Sequence, residues 1–419
     1  MTNTYFFVLG TNHTLSKIDI VNVLGRLGTD FEIIEASEEV LLIATKEPLE
    51  VSLLMGELGS AAKMGQIFNL YPKEDFPENL FKEVNETPFK SFFLPQGEKE
   101  IRFGVSVYNG GGGFKSLNQT WFLAPKIARE IKETLGINHL PVKERELSSV
   151  VVNQTGLLKN GFELVLIAGV KGIYIGKTTA IQDYESYSLR DYGRPARDAF
   201  SGMIPPKLAK MMINLAGKEK TDLFLDPFCG SGTFLQELIL LGYKNIVGTD
   251  SSEKSVADST TNLNWLFEKY PLKKTDFQIK LVMADVRKLS SQVSFKTVSA
   301  IVTEPYLGSP RARYFNEEEI RKEVRKLEEL YLAAFDEFRK VLKDRGVIVI
   351  IFPVFRFNNK FFSLEILEQI KQLGFQKKDY LQGNPQGSEL LQFNLSPRNS
   401  VIFFRPGQTI SREILVFSL

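Results

Sequence analysis

Cysteine and histidine are scarce in this sequence of 419 residues, and their scarcity excludes several kinds of site. Cys229 is the single cysteine, so the chain cannot form an internal disulfide. The two histidines, His13 and His139, are too few for a multi-histidine metal site, and we expect no bound metal. The longest apolar run, at 346–355, falls far short of the roughly 20 residues that cross a membrane.

The N-terminal segment MTNTYFFVLG has neither the basic start nor the small-residue cleavage site of a signal peptide. We therefore expect a cytoplasmic protein. With 43% hydrophobic and 24% charged residues, the composition is that of a globular protein. The length predicts two or three domains.

Charge is unevenly distributed, although the net charge is only +2. Residues 1–100 hold 8 Lys and Arg against 16 Asp and Glu, whereas the remaining residues hold 44 against 34. A basic body behind an acidic N-terminal segment permits a polyanionic partner such as RNA without requiring one.

The N-terminal part predicts two small α/β modules. Residues 1–75 alternate as strand, helix, two strands and helix, which is the ferredoxin-like order. Residues 76–182 predict a helix at 121–136 and strands at 101–109, 148–154 and 162–180. Lys126, Arg129 and Lys177 could bind RNA phosphates there, although a solvated charged face would explain the same spacing.

From residue 222 onward, strands alternate with helices, which predicts a parallel sheet wound on both faces. We predict helices at 233–241, 253–268, 316–343 and 361–373, and closing strands near 376–381 and 399–405. Ligands of such sheets bind at the carboxyl ends of the strands, where the strand order reverses.

Three carboxylates stand at consecutive predicted strand ends. Asp226 opens DPFCGSGTF, where a carboxylate for an ammonium group and a helix N-terminus for an anion together suit an amino-acid zwitterion. Asp250, 24 residues later, suits ribose hydroxyls, and Asp285 suits an adenine amino group. Amino acid, ribose and adenine together indicate S-adenosylmethionine. A turn or helix cap is the alternative for each residue taken singly.

These motifs resemble those of a known family. LDPFCGSGTFLQELILLG, IVGTD and MADV are similar to the cofactor half of class I S-adenosylmethionine methyltransferases. RPARDAFSGMIPPKLAKMMINLA, directly upstream, resembles the THUMP-domain tRNA (guanine-N2)-methyltransferases. The resemblance implies an α/β chain whose C-terminal Rossmann-like class I methyltransferase domain, doubly wound and mostly parallel, follows ferredoxin-like and THUMP-type α+β domains. The expected boundaries are 1–75, 76–182, a linker at 183–200, and 201–419.

The resemblance also implies a reaction and its residues. Methyl transfer from S-adenosylmethionine to an exocyclic guanine amine of tRNA, or of another structured RNA, is expected, with no membrane association and an unknown protein partner. The cofactor-binding residues would be Asp226, Pro227, Cys229, Gly230, Gly232, Thr233, Asp250, Ser251, Asp285 and Val286. The RNA-binding residues would be Lys126, Arg129, Lys177 and Arg194.

The catalytic motif departs from that of the family, which is Asp-Pro-Pro-Tyr with the acid accepting a hydrogen bond from the target amine. This chain has Thr303-Glu304-Pro305-Tyr306, so we interpret the acid as shifted by one residue. Neighbouring side chains of a strand face opposite sides, which makes such a shift consequential. Glu304 could curl back as the acceptor, Thr303 could serve through its hydroxyl, or Glu304 could be structural and pair with Arg311 or Arg313.

Two other functions are compatible with the sequence. If Glu304 is structural, the chain would be a non-catalytic or altered-substrate RNA-binding protein that retains the methyltransferase fold. The same sheet also supports DNA and protein amino-methyltransferases, which would not need residues 1–180 to recognise their substrates.

Overall fold

The computed structural model describes residues 3–98, 100–197, 203–404 and 408–419. The chain divides into two compact units, Met1–Tyr184 with Gly383–Phe393, and Glu185–Gln382 with Asn394–Leu419. The end of the predicted linker, 198–200, and the predicted start of the catalytic domain at 201 lie outside the described residues. No described helix is long and apolar enough to cross a membrane.

The first unit contains fifteen helices and strands among its described residues. In chain order they are β1 (Asn3–Leu9), α1 (His13–Arg26), β2 (Phe31–Ala36), β3 (Val40–Thr45), α2 (Val51–Glu57), β4 (Ala61–Tyr71), α3 (Glu78–Glu83), α4 (Thr87–Phe93), β5 (Arg102–Asn109), α5 (Gly113–Leu135), β6 (Asn138–His139), α6 (Ser149–Gln154), α7 (Leu157–Asn160), β7 (Gly161–Ala168) and β8 (Ile173–Ile181).

One eight-stranded sheet, ordered β2-β3-β1-β4-β8-β7-β5-β6, runs through this unit. Its first four strands have the ferredoxin-like arrangement, as predicted, and β4 supplies a fourth strand that the prediction lacked. Since β4 pairs along its length with β8, no boundary between compact units falls at residues 75–76. Sharing a sheet satisfies the hydrogen-bonding groups that β4 would otherwise expose as an edge strand.

The second unit contains the remaining elements. They are α8 (Tyr184–Tyr192), α9 (Pro206–Leu215), β9 (Leu223–Asp226), α10 (Thr233–Leu240), β10 (Asn245–Asp250), α11 (Glu253–Lys269), β11 (Gln278–Met283), β12 (Val298–Thr303), α12 (Glu317–Val341), β13 (Leu342–Phe357), β14 (Lys360–Ser363), α13 (Leu367–Gln372), β15 (Gln376–Lys377), β16 (Val401–Phe403) and β17 (Ile410–Ser418).

The second sheet has the order β11-β10-β9-β12-β13-β17-β15, with β14 on β13 and β16 on β17. Strands β9 to β13 are parallel, and β17 is antiparallel to β13. The chain moves outward from β9 to β11 and then returns to place β12 on the other side of β9. This reversal leaves a crevice at the carboxyl ends of β9 and β12.

Three predicted elements differ from the structure. The predicted strand at 148–154 is helix α6, which begins after Ser148, whose hydroxyl oxygen accepts the Val151 N–H at 3.2 Å. The predicted helix at 361–373 divides into β14 and α13. Strand β17 was not predicted, because Arg412 and Glu413 interrupt its apolar pattern although both are buried.

A buried ion pair joins β4 and β7, which lie on either side of β8 in the first unit. Lys63 Nζ on β4 lies 2.5 Å from Glu163 Oε1 on β7, with side-chain exposures of 3% and 0%. Lys63 also donates to the Tyr108 hydroxyl at 3.0 Å, and Ser106 and Thr178 donate to Glu163. These hydrogen bonds make the burial of both charges tolerable.

We predict that Lys63→Met lowers the free energy of unfolding by about 3–5 kcal/mol, because it leaves Glu163 buried without a counter-charge. Urea denaturation followed by circular dichroism measures the change. Lys46→Met is the matched control, since the Lys46–Asp30 pair is exposed, and it should be indistinguishable from the wild type. Wild-type stability of Lys63→Met would contradict the prediction.

Candidate active site

A cavity of 590 Å³ occupies the crevice at the carboxyl ends of β9, β10 and β12. It brings together the predicted catalytic and cofactor-binding residues, except Gly232 and Thr303. Those that line it are Asp226, Pro227, Cys229, Gly230, Thr233, Asp250, Ser251, Asp285, Val286, Glu304, Pro305 and Tyr306.

The turn after β9 presents backbone to this cavity. Gly230 has φ of +50°, and a Cβ added there would meet no atom within 4 Å. Gly232 has φ of +84°, and its Cβ would lie 2.9 Å from Ser259 Oγ. Glycine at 230 therefore keeps space open for a ligand, whereas glycine at 232 permits close packing on α11.

The Asp250 carboxylate organises this turn from the end of β10. Its Oδ2 accepts the Gly230 N–H at 3.0 Å and its Oδ1 accepts the Ser252 N–H at 2.9 Å. Because a carboxylate oxygen can accept two hydrogen bonds, both oxygens retain capacity for a ligand hydroxyl. Asp285 caps the 3₁₀ turn Val286–Ser291 by accepting the Arg287 N–H at 3.0 Å, and its side chain is about half exposed at the cavity edge.

Asp226 lies at the buried floor of the cavity, with 1% exposure. Its Oδ1 accepts hydrogen bonds from the Thr303 hydroxyl at 2.7 Å and the Phe228 N–H at 3.2 Å. Burial raises the pKa of Asp226 to about 7, and the nearby charges of Asp250 and Glu304 act in the same direction. Thr303 is fully buried and donates its hydroxyl proton to Asp226, so it is not placed to accept from a substrate amine.

Glu304 is the first residue after β12, and its side chain lines the cavity. Arg412 of β17 binds it with Nε–Oε1 at 2.5 Å and Nη2–Oε2 at 3.4 Å. Their side-chain exposures are 12% for Glu304 and 5% for Arg412. Glu304 therefore pairs with Arg412, and the predicted structural partners Arg311 and Arg313 are wrong.

Thr303 and Glu304 have different environments. Thr303 ends β12 and its hydroxyl donates to Asp226, whereas the side chain of Glu304, one residue later, lines the cavity. Of the two predicted acceptors, Glu304 is therefore the one that a ligand in the cavity can reach.

Two side chains of α12 form hydrogen bonds that hold the loop that carries the motif. The Tyr331 hydroxyl donates to the carbonyl oxygens of Tyr306 at 3.4 Å and Ile351 at 3.2 Å. Glu323 Oε1 accepts the Ser309 N–H at 2.9 Å. Tyr306 remains 50% exposed and lines the cavity, so a ligand there can contact it.

The four residues predicted to bind RNA have different environments. Lys126 and Arg129 are exposed on α5. Lys177 is half-buried: it donates to the Phe92 carbonyl oxygen and lies 4.9 Å from the Phe92 ring centre. Arg194 is 3% exposed in the second unit and donates to Thr233 Oγ1 at 2.7 Å. Lys177 and Arg194 thus make internal contacts instead of the predicted contacts with phosphate.

Arg412 is the residue of this site that the sequence did not reveal. It lies 108 residues from Glu304, in a strand that was not predicted. The only indication in the sequence was a charged residue shortly before the apolar run ILVF. This pattern identified neither strand β17 nor Glu304 as the partner of Arg412.

Family profiles and solved structures of methyltransferases and methylases are similar to this chain. A family profile described as an RMKL-like methyltransferase domain matches residues 194–378, and one described as a DNA methylase matches residues 53–261. TrmN from Thermus thermophilus has a similar fold, with a TM-score of 0.55 at 15% identity over 100% of this chain and 99% of that one. A possible methylase from Clostridium difficile 630 gives a TM-score of 0.50 at 15% identity over 99% and 98% of the chains.

The curated relatives are named for a more specific reaction than the family profiles are. The tRNA (guanine(10)-N2)-dimethyltransferase of Methanocaldococcus jannaschii is 29% identical over 50% of this chain and 56% of its own length. The probable tRNA (guanine(10)-N2)-dimethyltransferase of Methanothermococcus thermolithotrophicus is 36% identical over 34% of this chain and 77% of its own length. The chain belongs to the tRNA (guanine-N2)-methyltransferase family.

Membership of the tRNA (guanine-N2)-methyltransferase family confirms the predicted Rossmann-like methyltransferase fold and S-adenosylmethionine as cofactor. The matched region spans 56% and 64% of the first two relatives, less than two thirds of each. The THUMP-like assignment of residues 76–182 and the individual site residues stay predictions.

Asp226→Asn should change how stability depends on pH. Burial raises the pKa of Asp226 from its ordinary value of 3.8 to about 7 in the folded chain. Between these two pH values, the folded state therefore binds more protons than the unfolded state. The free energy of unfolding therefore falls as pH rises from about 4 to about 7, by ~4 kcal/mol from this residue alone.

The variant lacks this titration, so relative to the wild type it should gain stability between pH 5 and pH 8. Guanidinium denaturation at both pH values measures the gain. Asp276→Asn, at an exposed aspartate, is the control and should keep the wild-type dependence. An Asp226→Asn effect that is equal at both pH values would rule out the raised pKa.

The ion pair between Glu304 and Arg412 predicts that mutations of the two residues have strongly coupled effects on stability. Arg412→Met should lower the free energy of unfolding by about 3–5 kcal/mol, because Glu304 would stay buried near Asp226 without its counter-ion. Adding Glu304→Gln should recover a large part of that loss. A double-mutant cycle in urea measures the coupling, and simple additivity of the single effects would show that the pair does not form.

Proposed function

We propose that this chain is an S-adenosylmethionine-dependent methyltransferase that modifies an exocyclic guanine amine of tRNA. The observation that carries the proposal is the position of the Glu304 carboxylate, which shares one cavity with the glycine turn and the acidic strand ends. The names of the curated relatives, tRNA (guanine(10)-N2)-dimethyltransferases, support guanine and tRNA as the substrate.

The residues present fit the cofactor. Gly230 leaves space beside the backbone for the cofactor. The buried carboxyl group of Asp226 suits the ammonium group of S-adenosylmethionine, and the Asp250 carboxylate suits its ribose hydroxyls. Asp285 at the cavity edge suits the adenine amino group. Once bound, the cofactor supplies an electrophilic methyl group on its sulfonium.

Glu304 would orient the target amine as a hydrogen-bond acceptor. A carboxylate offers about four lone-pair sites, and Arg412 occupies one on each oxygen, so one remains on each. Accepting from the amine directs its nitrogen lone pair towards the methyl carbon, and positioning of this kind accounts for most of the acceleration. Arg412 acts by holding Glu304 in place.

The same carboxylate favours guanine among the bases. The N2 amine of guanine adjoins the N1–H, so two donors lie side by side for two acceptor oxygens. The amines of adenine and cytosine instead adjoin a ring nitrogen that carries a lone pair, which repels a carboxylate. The half-exposed Tyr306 ring would pack against the base after it leaves its stack.

The first unit would bind the RNA. Lys126 and Arg129 are exposed on α5, where they can reach phosphates, and binding through them should weaken with salt. A tRNA substrate supports a cytoplasmic location for the enzyme. No described group of three His, Cys, Asp or Glu side chains could hold a metal ion, and the proposed transfer requires none.

The test is methyl transfer from labelled S-adenosylmethionine to unmodified tRNA, with digestion to identify the nucleoside. We expect N2-methylated guanosine. Glu304→Gln should lower kcat about 100-fold or more, because the amide loses the negative charge and one of the two acceptor oxygens, and Arg412 competes for the oxygen that remains. Thr303→Val, which removes a hydroxyl that faces Asp226, is the matched control and should reduce kcat less.

Other outcomes would identify other functions. Binding of tRNA and cofactor without label would indicate a non-catalytic RNA-binding protein. Label on DNA or protein with no preference for tRNA would indicate a different amino-methyltransferase. Equal losses in Glu304→Gln and Thr303→Val would contradict the assignment of Glu304 as acceptor.

A further inference from the structure

Two arginines follow the catalytic motif closely and take no part in it. Arg311 and Arg313 are exposed, and their predicted partner, Glu304, binds Arg412 instead. Within the part of the chain that the structure describes, neither arginine forms an ion pair. Exposed arginines are ordinary on protein surfaces, so only the setting of these two can indicate a ligand.

The arginines lie in a short turn directly beyond the cavity. Tyr306, Leu307 and Gly308 line the cavity, and the 3₁₀ turn Pro310–Tyr314 begins two residues after Gly308. Because an extended residue spans at most about 3.6 Å, the Cα of Arg311 lies within about 11 Å of the Cα of Gly308. A group bound by Arg311 is therefore a near neighbour of a ligand in the cavity.

Three contacts with the second unit hold the backbone of this turn. Gly308 has φ of +108°, and a Cβ added there would lie 2.9 Å from Phe355 Cζ, so glycine permits close packing. The Ser309 N–H donates to Glu323 Oε1 at 2.9 Å. Ala312 is 3% exposed and belongs to the hydrophobic core. The outward side chains of the turn are thus presented from a fixed backbone.

Those outward side chains are basic and aromatic. Residues three apart in a 3₁₀ helix lie above one another, which places Arg311 and Tyr314 on the same side of the turn. The Arg313 guanidinium lies 4.6 Å from the centre of the Tyr314 ring, and Tyr314 is 73% exposed. Nucleobases stack on tyrosine rings and on guanidinium planes alike, so this face suits a nucleotide.

The positive charge of the turn is not neutralised locally. Residues 305–316 contain no Asp or Glu. Two of the three glutamates that open α12 are engaged, Glu317 in ion pairs with Arg321 and Lys360, and Glu319 in the capping box of the helix. The face is therefore complementary in charge to phosphate groups.

We propose that Arg311, Arg313 and Tyr314 bind the RNA strand beside the nucleotide that enters the cavity. The arginines contact phosphates that flank the target nucleotide, and Tyr314 stacks on a neighbouring base. This inference rests on the proposed function, because it takes tRNA as the substrate. Removing the target base from its stack costs free energy, and contacts with the flanking strand offset part of that cost.

The first test measures the affinity for tRNA as a function of salt. Fluorescence anisotropy would give Kd for labelled tRNA between about 50 and about 200 mM salt on the wild type, Arg311→Gln and Arg313→Gln. Each variant should bind about 5-fold more weakly near 0.1 M salt, and the slope of log Kd against log salt should fall by about 0.7 to 0.9.

Arg339→Gln is the matched control. Arg339 is an exposed cation that pairs with Asp336 near the other end of α12, roughly 33 Å from the first residue of the helix. It should keep the wild-type affinity and slope. Equal losses in Arg339→Gln, or wild-type affinity and slope in Arg311→Gln and Arg313→Gln, would overturn the inference.

Tyr314 separates stacking from charge. Tyr314→Ala should weaken tRNA binding about 10-fold without changing the salt slope, whereas Tyr314→Phe keeps the ring and should bind like the wild type. Equal losses in both variants would overturn the stacking role. None of Arg311, Arg313 and Tyr314 is among the described residues that line the cavity, so Kd for S-adenosylhomocysteine should stay unchanged in every variant.

The placement beside the target nucleotide has a test of its own. Tyr314→p-benzoylphenylalanine, irradiated in complex with tRNA, should form a crosslink to a nucleotide next to the guanosine that the enzyme methylates. A crosslink only to a distant part of the tRNA would overturn the placement.

Failure of the proposed function gives a different pattern. A wild type that binds tRNA without methylating it would overturn the proposed function alone, and weaker binding by the arginine variants would still support the surface. A wild type that binds no tRNA would overturn both. A wild type that methylates tRNA while Arg311→Gln and Arg313→Gln bind it equally well would overturn this inference alone.

Discussion

The hydrogen bond between Thr303 and Asp226 connects the two strands whose ends form the site. It joins the carboxyl ends of β12 and β9, the two strands on either side of the point where the strand order reverses. By directing Thr303 inward, it leaves Glu304 as the first side chain able to enter the cavity. It also partly offsets the burial of Asp226, which otherwise has Asp250 and Glu304 as like-charged neighbours.

The cavity lining combines acidic strand ends with the first residues of a helix. Asp226, Asp250 and Asp285 lie at the ends of β9, β10 and β11, and Thr233 and Phe234 begin α10. Arg412 on β17 pairs with Glu304 and is not itself among the described residues that line the cavity. The nearby charges of Asp250 and Glu304 disfavour the ionised form of Asp226, so a positive group bound in the cavity would stabilise it.

The sequence predicted those features whose cause is local. Apolar periodicity located most elements of the second sheet, and the spacing of Asp226, Asp250 and Asp285 located the cavity, because consecutive parallel strands end at the same edge. Prediction from the sequence failed where tertiary contacts determine the structure. Arg412 and Glu413 look like loop residues until their partners are known, Lys177 and Arg194 look like surface cations until their burial is known, and Val150 to Val152 fit either a strand or a helix. The position of Glu304 relative to its strand end also required the register of β12.

Residues 383–393 lie late in the chain yet belong to the first unit, where Gln386 forms a bridge with Glu32 and accepts the Ile33 N–H at 2.9 Å. Lys17 donates to the Gln392 carbonyl oxygen at 2.6 Å. During synthesis, β2 is therefore an uncovered edge strand until residues 383–393 have left the ribosome. The first unit is completed only after most of the second unit has been made, and a nascent chain stalled before residue 383 would expose an edge open to pairing with other chains.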